Sequence, residues 1–267
     1  MPIVELEHTS LYYEIEGAGP RLLIINGTGS DLRRPPRPFD WSGADRFELL
    51  SYDHRGLGRS VPHDPDRQPT MADFGQDALD LADELRWDTF SVLGISFGAM
   101  VAQHLALLAP TRIDHLVLAC TSCGGTGGAS YPLHQFYALS PSERVDAMVP
   151  LVDTRAADDD GLRQLLTAYM GDGLEDAVPI GLTRQLEARR HHDTYNRLPS
   201  IVAPTLVAAG RFDGIAPVVN SEVLAERIPD ARLAVFDGGH GFMLQDLTAW
   251  PAMAAFILGL EPADRET

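Results

Sequence analysis

Gly94-Ile95-Ser96-Phe97-Gly98 follows a short apolar run, Phe90–Gly94, and leads into the helix-like stretch Phe97–Ala109, which closes at Pro110. A strand, a sharp turn and a helix are the context in which a serine projects its hydroxyl from a sheet edge. The flanking chain must then pass close to the serine, where a Cβ at position 94 or 98 would clash. Ala99 keeps the helix near the sheet, and the helix N-terminus favours negative charge developing beside Ser96.

Outward from this turn the chain alternates short apolar runs with helical patterns. Leu11–Ile15 mixes aromatic and β-branched residues and ends at the hairpin-like stop Gly17-Ala18-Gly19-Pro20. Arg21–Ile25 stops at Asn26-Gly27, and Phe47–Tyr52 stops at Asp53-His54-Arg55-Gly56. Between Thr70 and Leu85, Met71, Phe74, Ala78, Leu81, Ala82 and Leu85 recur at helical spacing, and Thr70 with Asp73 resembles a capping box. His115–Ala119, Thr205–Ala209 and Ala231–Phe236 read as strands; Ser221–Ile228 and Ala249–Leu260 read as helices. The pattern predicts an α/β fold with a mostly parallel central sheet covered on both faces, which suits continuous runs such as LLII and LVLA. From about Gly124 to Leu198 the segments are helical, between the Gly124–Gly128 run and the prolines 199 and 204. The expected organisation is a core of residues 1–123 and 199–267, interrupted by a helical cap at 124–198.

A serine is a weak nucleophile without an adjacent base. Of the nine histidines, His240 is best placed: Asp237-Gly238-Gly239-His240-Gly241 follows a predicted strand, and its glycines let the loop carry an imidazole over the strand's carboxyl edge. Asp213, at the end of another strand in Ala209-Gly210-Arg211-Phe212-Asp213, supplies the orienting acid. Asp237, three residues before the base on the same loop, is poorly placed for that task. The chain order Ser, Asp, His is one of those known for such triads.

With these motifs in order, the chain resembles the α/β-hydrolase-fold serine hydrolases over nearly its whole length. The resemblance rests on Asn26-Gly27-Thr28-Gly29, the stretch Asp53–Ser60, the Ser96 turn, Pro204–Val207 leading to Asp213, and Gly239-His240. It implies an oxyanion hole made by the backbone N–H groups of Phe97 and Thr28. The family usually carries His-Gly where this chain has Asn26-Gly27; the donor is backbone, so the hole does not depend on that side chain. Asp53 and Arg55 read as braces for loops. Ser96–Gln103 and Arg112–Leu118 look most like the branch of 3-oxoadipate enol-lactonases and small carboxylesterases. A serine at position 96 argues against haloalkane dehalogenases and epoxide hydrolases, which use aspartate there.

Composition narrows the chemistry further. Of 267 residues, 21 are basic and 38 acidic, a net charge of −17. Such a surface repels phosphate backbones and anionic membranes, so neither nucleic acid nor membrane is expected as a partner. Every basic residue is arginine; without lysine there is no Schiff base, no Ser-Lys dyad and no P-loop lysine. The start, MPIVELEHTS, has no basic or apolar leader, and two cysteines suit a reducing cytoplasm. Cys120-Thr121-Ser122-Cys123 has no second ligand pair, so it reads as buried strand-end residues; Asp158–Asp160 reads as a solvated turn, and no metal is expected. Arg33 and Arg34, after the oxyanion loop, are candidates to hold a substrate carboxylate, and His191 and His192 are candidates to line the site from the cap.

The expected activity is hydrolysis of a small-molecule carboxylic ester or lactone through an acyl-enzyme, with no cofactor. The same triad also serves C–C bond hydrolases and cofactor-free perhydrolases or haloperoxidases, and a slow-turnover ligand receptor on this fold is a further alternative.

Overall fold

The computed structural model describes residues 2–171 and 179–260. The N-terminal part supplies β1 (Ile3–Glu5), β2 (Thr9–Glu16), β3 (Arg21–Ile25), β4 (Glu48–Tyr52) and the two-residue β5 (Val61–Pro62). Helix α1 (Met71–Glu84), β6 (Phe90–Ile95), α2 (Phe97–Leu108) and β7 (Ile113–Ala119) follow. After β7 come α3 (Pro141–Val152), α4 (Asp160–Gly171) and α5 (Ile180–Arg190). The chain then runs through β8 (Thr205–Gly210), α6 (Val218–Arg227), β9 (Ala231–Phe236), α7 (Phe242–Gln245) and α8 (Ala249–Ile257).

Among the described residues the strands form one sheet in the order β1-β2-β4-β3-β6-β7-β8-β9, with β5 against β2. From β4 across to β9 all neighbours are parallel, while β2 is antiparallel to β1, β4 and β5. The apolar run of β3 shows why the sheet is covered on both faces. Leu23 and Ile25 pack with Phe74 and Leu81 of α1 and Val101 and Leu105 of α2. Leu22 and Ile24 face the other way, toward Met253, Ala254 and Ile257 of α8. All four side chains are fully buried, each worth roughly 1.5–3 kcal/mol over exposure. Thr70 caps α1 as its sequence predicts: its hydroxyl accepts from the Asp73 N–H at 3.3 Å, and the Asp73 carboxylate accepts from the Thr70 N–H at 2.7 Å.

One expectation changes, and two strands appear that the sequence reading does not contain. The stop at Gly17–Pro20 does not fold β2 back on β3, because β4 lies between them. Parallel pairing of Arg21 with Glu48 sets β4 beside β3, and β2 takes β4's other edge through Glu16 and Leu49. Strands β1 and β5 lack a sequence signal because they are short edge strands made by backbone pairing to β2, with Ile3 and Val61 left exposed.

Because β4 and β6 flank β3, the strand order reverses there, and the loops leaving β3 and β6 meet at the carboxyl edge. Asp53 braces this edge: its carboxylate accepts from the Leu32 N–H at 2.8 Å and the Arg59 N–H at 2.9 Å. Arg55 forks onto the buried Asp77 carboxylate of α1. The chain leaves the sheet after β7 and returns at β8; Gly124 and Asp193 pair across the two crossings. Within this excursion Val145 and Val149 of α3 pack with Leu166 of α4 and Ala156. Cys120 and Cys123 are buried free thiols, and burial raises Cys123 to about 11. No described helix is long and apolar enough to cross a membrane.

Three buried histidines give the fold an acid limit. Burial lowers His54 and His104 to about 4 and His192 to about 3, from an ordinary 6.5. Unfolded, these rings take up protons near their ordinary value, so between there and the lowered values the unfolded state binds more protons. Stability is therefore full above the unfolded value and falls as pH drops through that window, by up to ~1.4 kcal/mol per pH unit per ring. Burial raises the Asp77 carboxyl to about 6 against the pull of the Arg55 fork, and it raises the Asp53 carboxyl as well; these two contributions oppose the histidines. Urea unfolding between about pH 7 and about pH 4.5 should show a steadily falling midpoint; a flat midpoint would contradict this account.

Candidate active site

Ser96 sits between β6 and α2 with φ 55° and ψ −113°, a conformation that non-glycine residues rarely adopt. Its N–H donates to the Ala119 carbonyl at 2.8 Å, and its own carbonyl accepts from the Thr121 hydroxyl at 3.0 Å. The glycines on either side are required by close approach. A Cβ on Gly98 would overlap the Ile25 carbonyl oxygen, and one on Gly94 would lie 2.5 Å from the Ala99 Cα. The turn thus wedges Ser96 against the ends of β3 and β7.

The His240 loop, after β9, brings Nε2 to 2.9 Å from the Ser96 Oγ. Nδ1 lies 2.8 Å from Oδ2 of Asp213, which follows β8. The other oxygen of Asp213 accepts from the Ile215 and Ala216 N–H groups, both at 2.8 Å. A carboxylate only accepts, so the ring proton is on Nδ1 and Nε2 is free to accept from the serine hydroxyl. Asp213 is buried, while His240 keeps some exposure at 17%.

Both loops are tied to the end of α3. The His240 N–H donates to the Val152 carbonyl at 2.6 Å, the Gly214 N–H to Leu151 at 2.9 Å, and the Thr154 N–H to Phe212 at 2.9 Å. The buried Asp153 accepts from the Gln245 side-chain amide at 2.9 Å, and the Gln245 oxygen takes the Gly239 N–H at 2.7 Å. Sequence reasoning missed these supports; the bonds to residues 151–154 join segments far apart in the chain and have no local signature, and the short Gln245–Gly239 link shows only once the loop has folded.

The loop after β3 packs on the serine: a Cβ on Gly27 would lie 3.6 Å from the Ser96 Cβ. Its support answers what Asn26 does. The Asn26 amide donates to the Ser51 hydroxyl at 2.9 Å, and the His54 Nε2–H donates to the Asn26 carbonyl at 3.0 Å. Asn26 therefore anchors the loop to β4. Among the described residues the Thr28 and Phe97 N–H groups donate to no protein acceptor, and Phe97 opens α2, where such donors are unpaired by geometry.

The model of the alpha/beta hydrolase fold family matches residues 20–247. The chain belongs to the alpha/beta hydrolase family. This hydrolase is 30% identical to a poly(3-hydroxyalkanoate) depolymerase of Ectopseudomonas oleovorans, covering 98% of this chain and 93% of the relative. Among solved structures, the enol-lactonase of Burkholderia xenovorans LB400 is 26% identical with a TM-score of 0.80, covering 97% of this chain and 100% of that one. A hydrolase of Pseudomonas aeruginosa PA01 is 29% identical with a TM-score of 0.77, covering 97% and 98%. The parallel sheet with helices on both faces is the fold these matches describe.

The remaining candidates of this hydrolase lie apart from one another. Arg33 forms a fork on Asp31, which occupies the geometry offered to a substrate carboxylate. Arg34 is exposed. His191 and His192, though adjacent, part company: His191 is exposed beside Glu187 at 3.1 Å, while His192 is buried. The His192 Nε2–H donates to the Ser122 carbonyl at 3.1 Å, and its Nδ1 lies 3.3 Å from the His104 Nε2. His192 also lines a cavity of about 200 Å³ with Ser122, Ser130, His134 and Arg189.

Proposed function

We propose that this alpha/beta hydrolase is a serine hydrolase that cleaves a small-molecule carboxylic ester or lactone. The observation that carries the reading is the unbroken chain of contacts Ser96–His240–Asp213, at 2.9 and 2.8 Å, on the carboxyl edge of the sheet. The names of the depolymerase and enol-lactonase relatives point toward acyl–oxygen bonds and support the same choice.

In the first step His240 Nε2 takes the hydroxyl proton of Ser96 as its Oγ attacks the carbonyl carbon. The carbonyl π pair moves onto oxygen, which the Thr28 and Phe97 N–H groups receive; each such donor is worth roughly 2.7–4 kcal/mol. The tetrahedral intermediate collapses, the acyl–oxygen bond breaks, and His240 returns the proton to the leaving oxygen. Water then repeats the sequence on the acyl-enzyme, releasing the acid and restoring Ser96. Asp213 holds the Nδ1–H tautomer throughout. Residues 124–198 act as a cap over this edge and shape the acyl and leaving-group pockets, and no cofactor takes part.

A panel of short p-nitrophenyl esters and lactones tests the reading, with repeated turnover as the expected result. Retention of one ligand after a single turnover would replace it with a receptor. Cleavage of a vinylogous diketo acid alone would replace it with C–C hydrolysis, and peroxide-dependent halogenation in acetate alone with an oxidative activity.

A further inference from the structure

The side chain of Gln185, on α5, is completely buried. Its Oε1 accepts the Gly29 backbone N–H at 2.9 Å, across 156 residues of sequence. A backbone N–H only donates, so the amide must turn its oxygen to Gly29. The NH2 group then points away, and it has no partner among the described residues. A buried amide that leaves its donors unpaired is uncommon, and its orientation here is set by the demand of Gly29.

The rest of the same helix face is seated on the core. The backbone of Gly181 lies against Gly56, so that a Cβ at position 181 would overlap the Gly56 carbonyl oxygen. The Leu182 side chain comes to 3.4 Å from where a Cβ on Gly29 would stand. The Gln68 amide donates to the Arg184 carbonyl at 3.1 Å.

We propose that Gln185 is a positioning residue: it makes α5 and the loop after β3 one mechanical unit and thereby aims the Thr28 N–H. This rests on the reading of Thr28 as an oxyanion donor. The Gly29 N–H belongs to the peptide plane that follows Thr28. On the other side of Thr28, the Gly27 carbonyl accepts from the Ser30 hydroxyl at 2.9 Å and the Ser30 N–H at 3.4 Å. The Thr28 N–H lies in the Gly27–Thr28 plane that Ser30 holds, and Gln185 fixes the plane on the other side of the Thr28 Cα; releasing Gln185 frees that second plane and leaves the Thr28 N–H held from one side only. Positional errors of this kind cost up to ~100-fold in rate.

The test compares Gln185→Met, similar in shape without polar groups, with Gln185→Glu, which keeps an acceptor. Active sites are counted by fluorophosphonate titration, so misfolded protein does not enter kcat. In Gln185→Met, kcat per titrated site should fall about 10- to 100-fold with KM within about threefold. Affinity for phenylboronic acid, whose tetrahedral adduct on Ser96 needs the hole, should fall by a similar factor. Gln185→Glu should recover most of both. A parental kcat per titrated site in Gln185→Met, or a loss of active sites only, would overturn the proposal; so would undiminished boronate affinity. If instead the parent itself is not labelled at Ser96, the reading of the site fails, and the proposal fails with it.

Discussion

Replacing Ser96 with alanine is expected to lower kcat on a p-nitrophenyl ester by about 10⁶-fold. The size follows from the chemistry. Without the hydroxyl there is no covalent intermediate, and only the two N–H donors and substrate binding act on the attack of water. His240→Ala should cost about as much, because Nε2 at 2.9 Å is the base within reach of the Ser96 proton. The double variant should then be little worse than either single one, since the two groups act as a unit. Steady-state rates and labelling by a fluorophosphonate probe check this. Independent, multiplicative losses would separate Ser96 from His240, and a Ser96→Ala protein that keeps the parental rate or is still labelled would remove Ser96 from the mechanism.

The second large effect comes from Asp213→Asn, expected to lower kcat by about 10⁴-fold with little loss of stability. Asparagine matches aspartate in shape, but its two ends differ. The end that accepts from the Ile215 and Ala216 N–H groups must stay oxygen, because both partners are donors. The amide NH2 is then forced toward His240 Nδ1, which must accept instead of donate. The ring proton moves to Nε2, where it points at Ser96 and cannot take a proton from it. Thermal unfolding should stay near the parent's, because the backbone bonds to Asp213 survive. A variant retaining more than a tenth of the parental rate would show that the tautomer is held by something other than this carboxylate.

Both predictions draw on residues that the sequence itself singles out as candidates. Ser96, Asp213 and His240 each follow a short apolar run, in a turn whose glycines mark close backbone approach. Strand ends and turn chemistry depend on neighbours in the chain, so each was readable from its own segment. The parallel sheet was legible for the same reason, from LLII in β3 to the capping box of α1. The edge strands β1 and β5 were not, since a few exposed residues paired by backbone alone leave no pattern. The apparent hairpin at Gly17–Pro20 misled because a turn shows only that a strand stops. Which strand lies beside it depends on β4 entering from later in the chain.

Local order and residue inventory were therefore written in the sequence: the strands and helices, the sharp turn at Ser96, and the absence of lysine chemistry. Only the tertiary structure decided how the parts are held. It assigned the bracing of the Asp213 and His240 loops to residues 151–154, the anchoring of Asn26 to Ser51 and His54, and the contact of Gln185 with Gly29. It also turned the neighbours His191 and His192 to opposite environments. The physical reason is range. Backbone propensity and side-chain periodicity act over a few residues, whereas a hydrogen bond between distant segments exists only once packing of the sheet and its helices has fixed both ends.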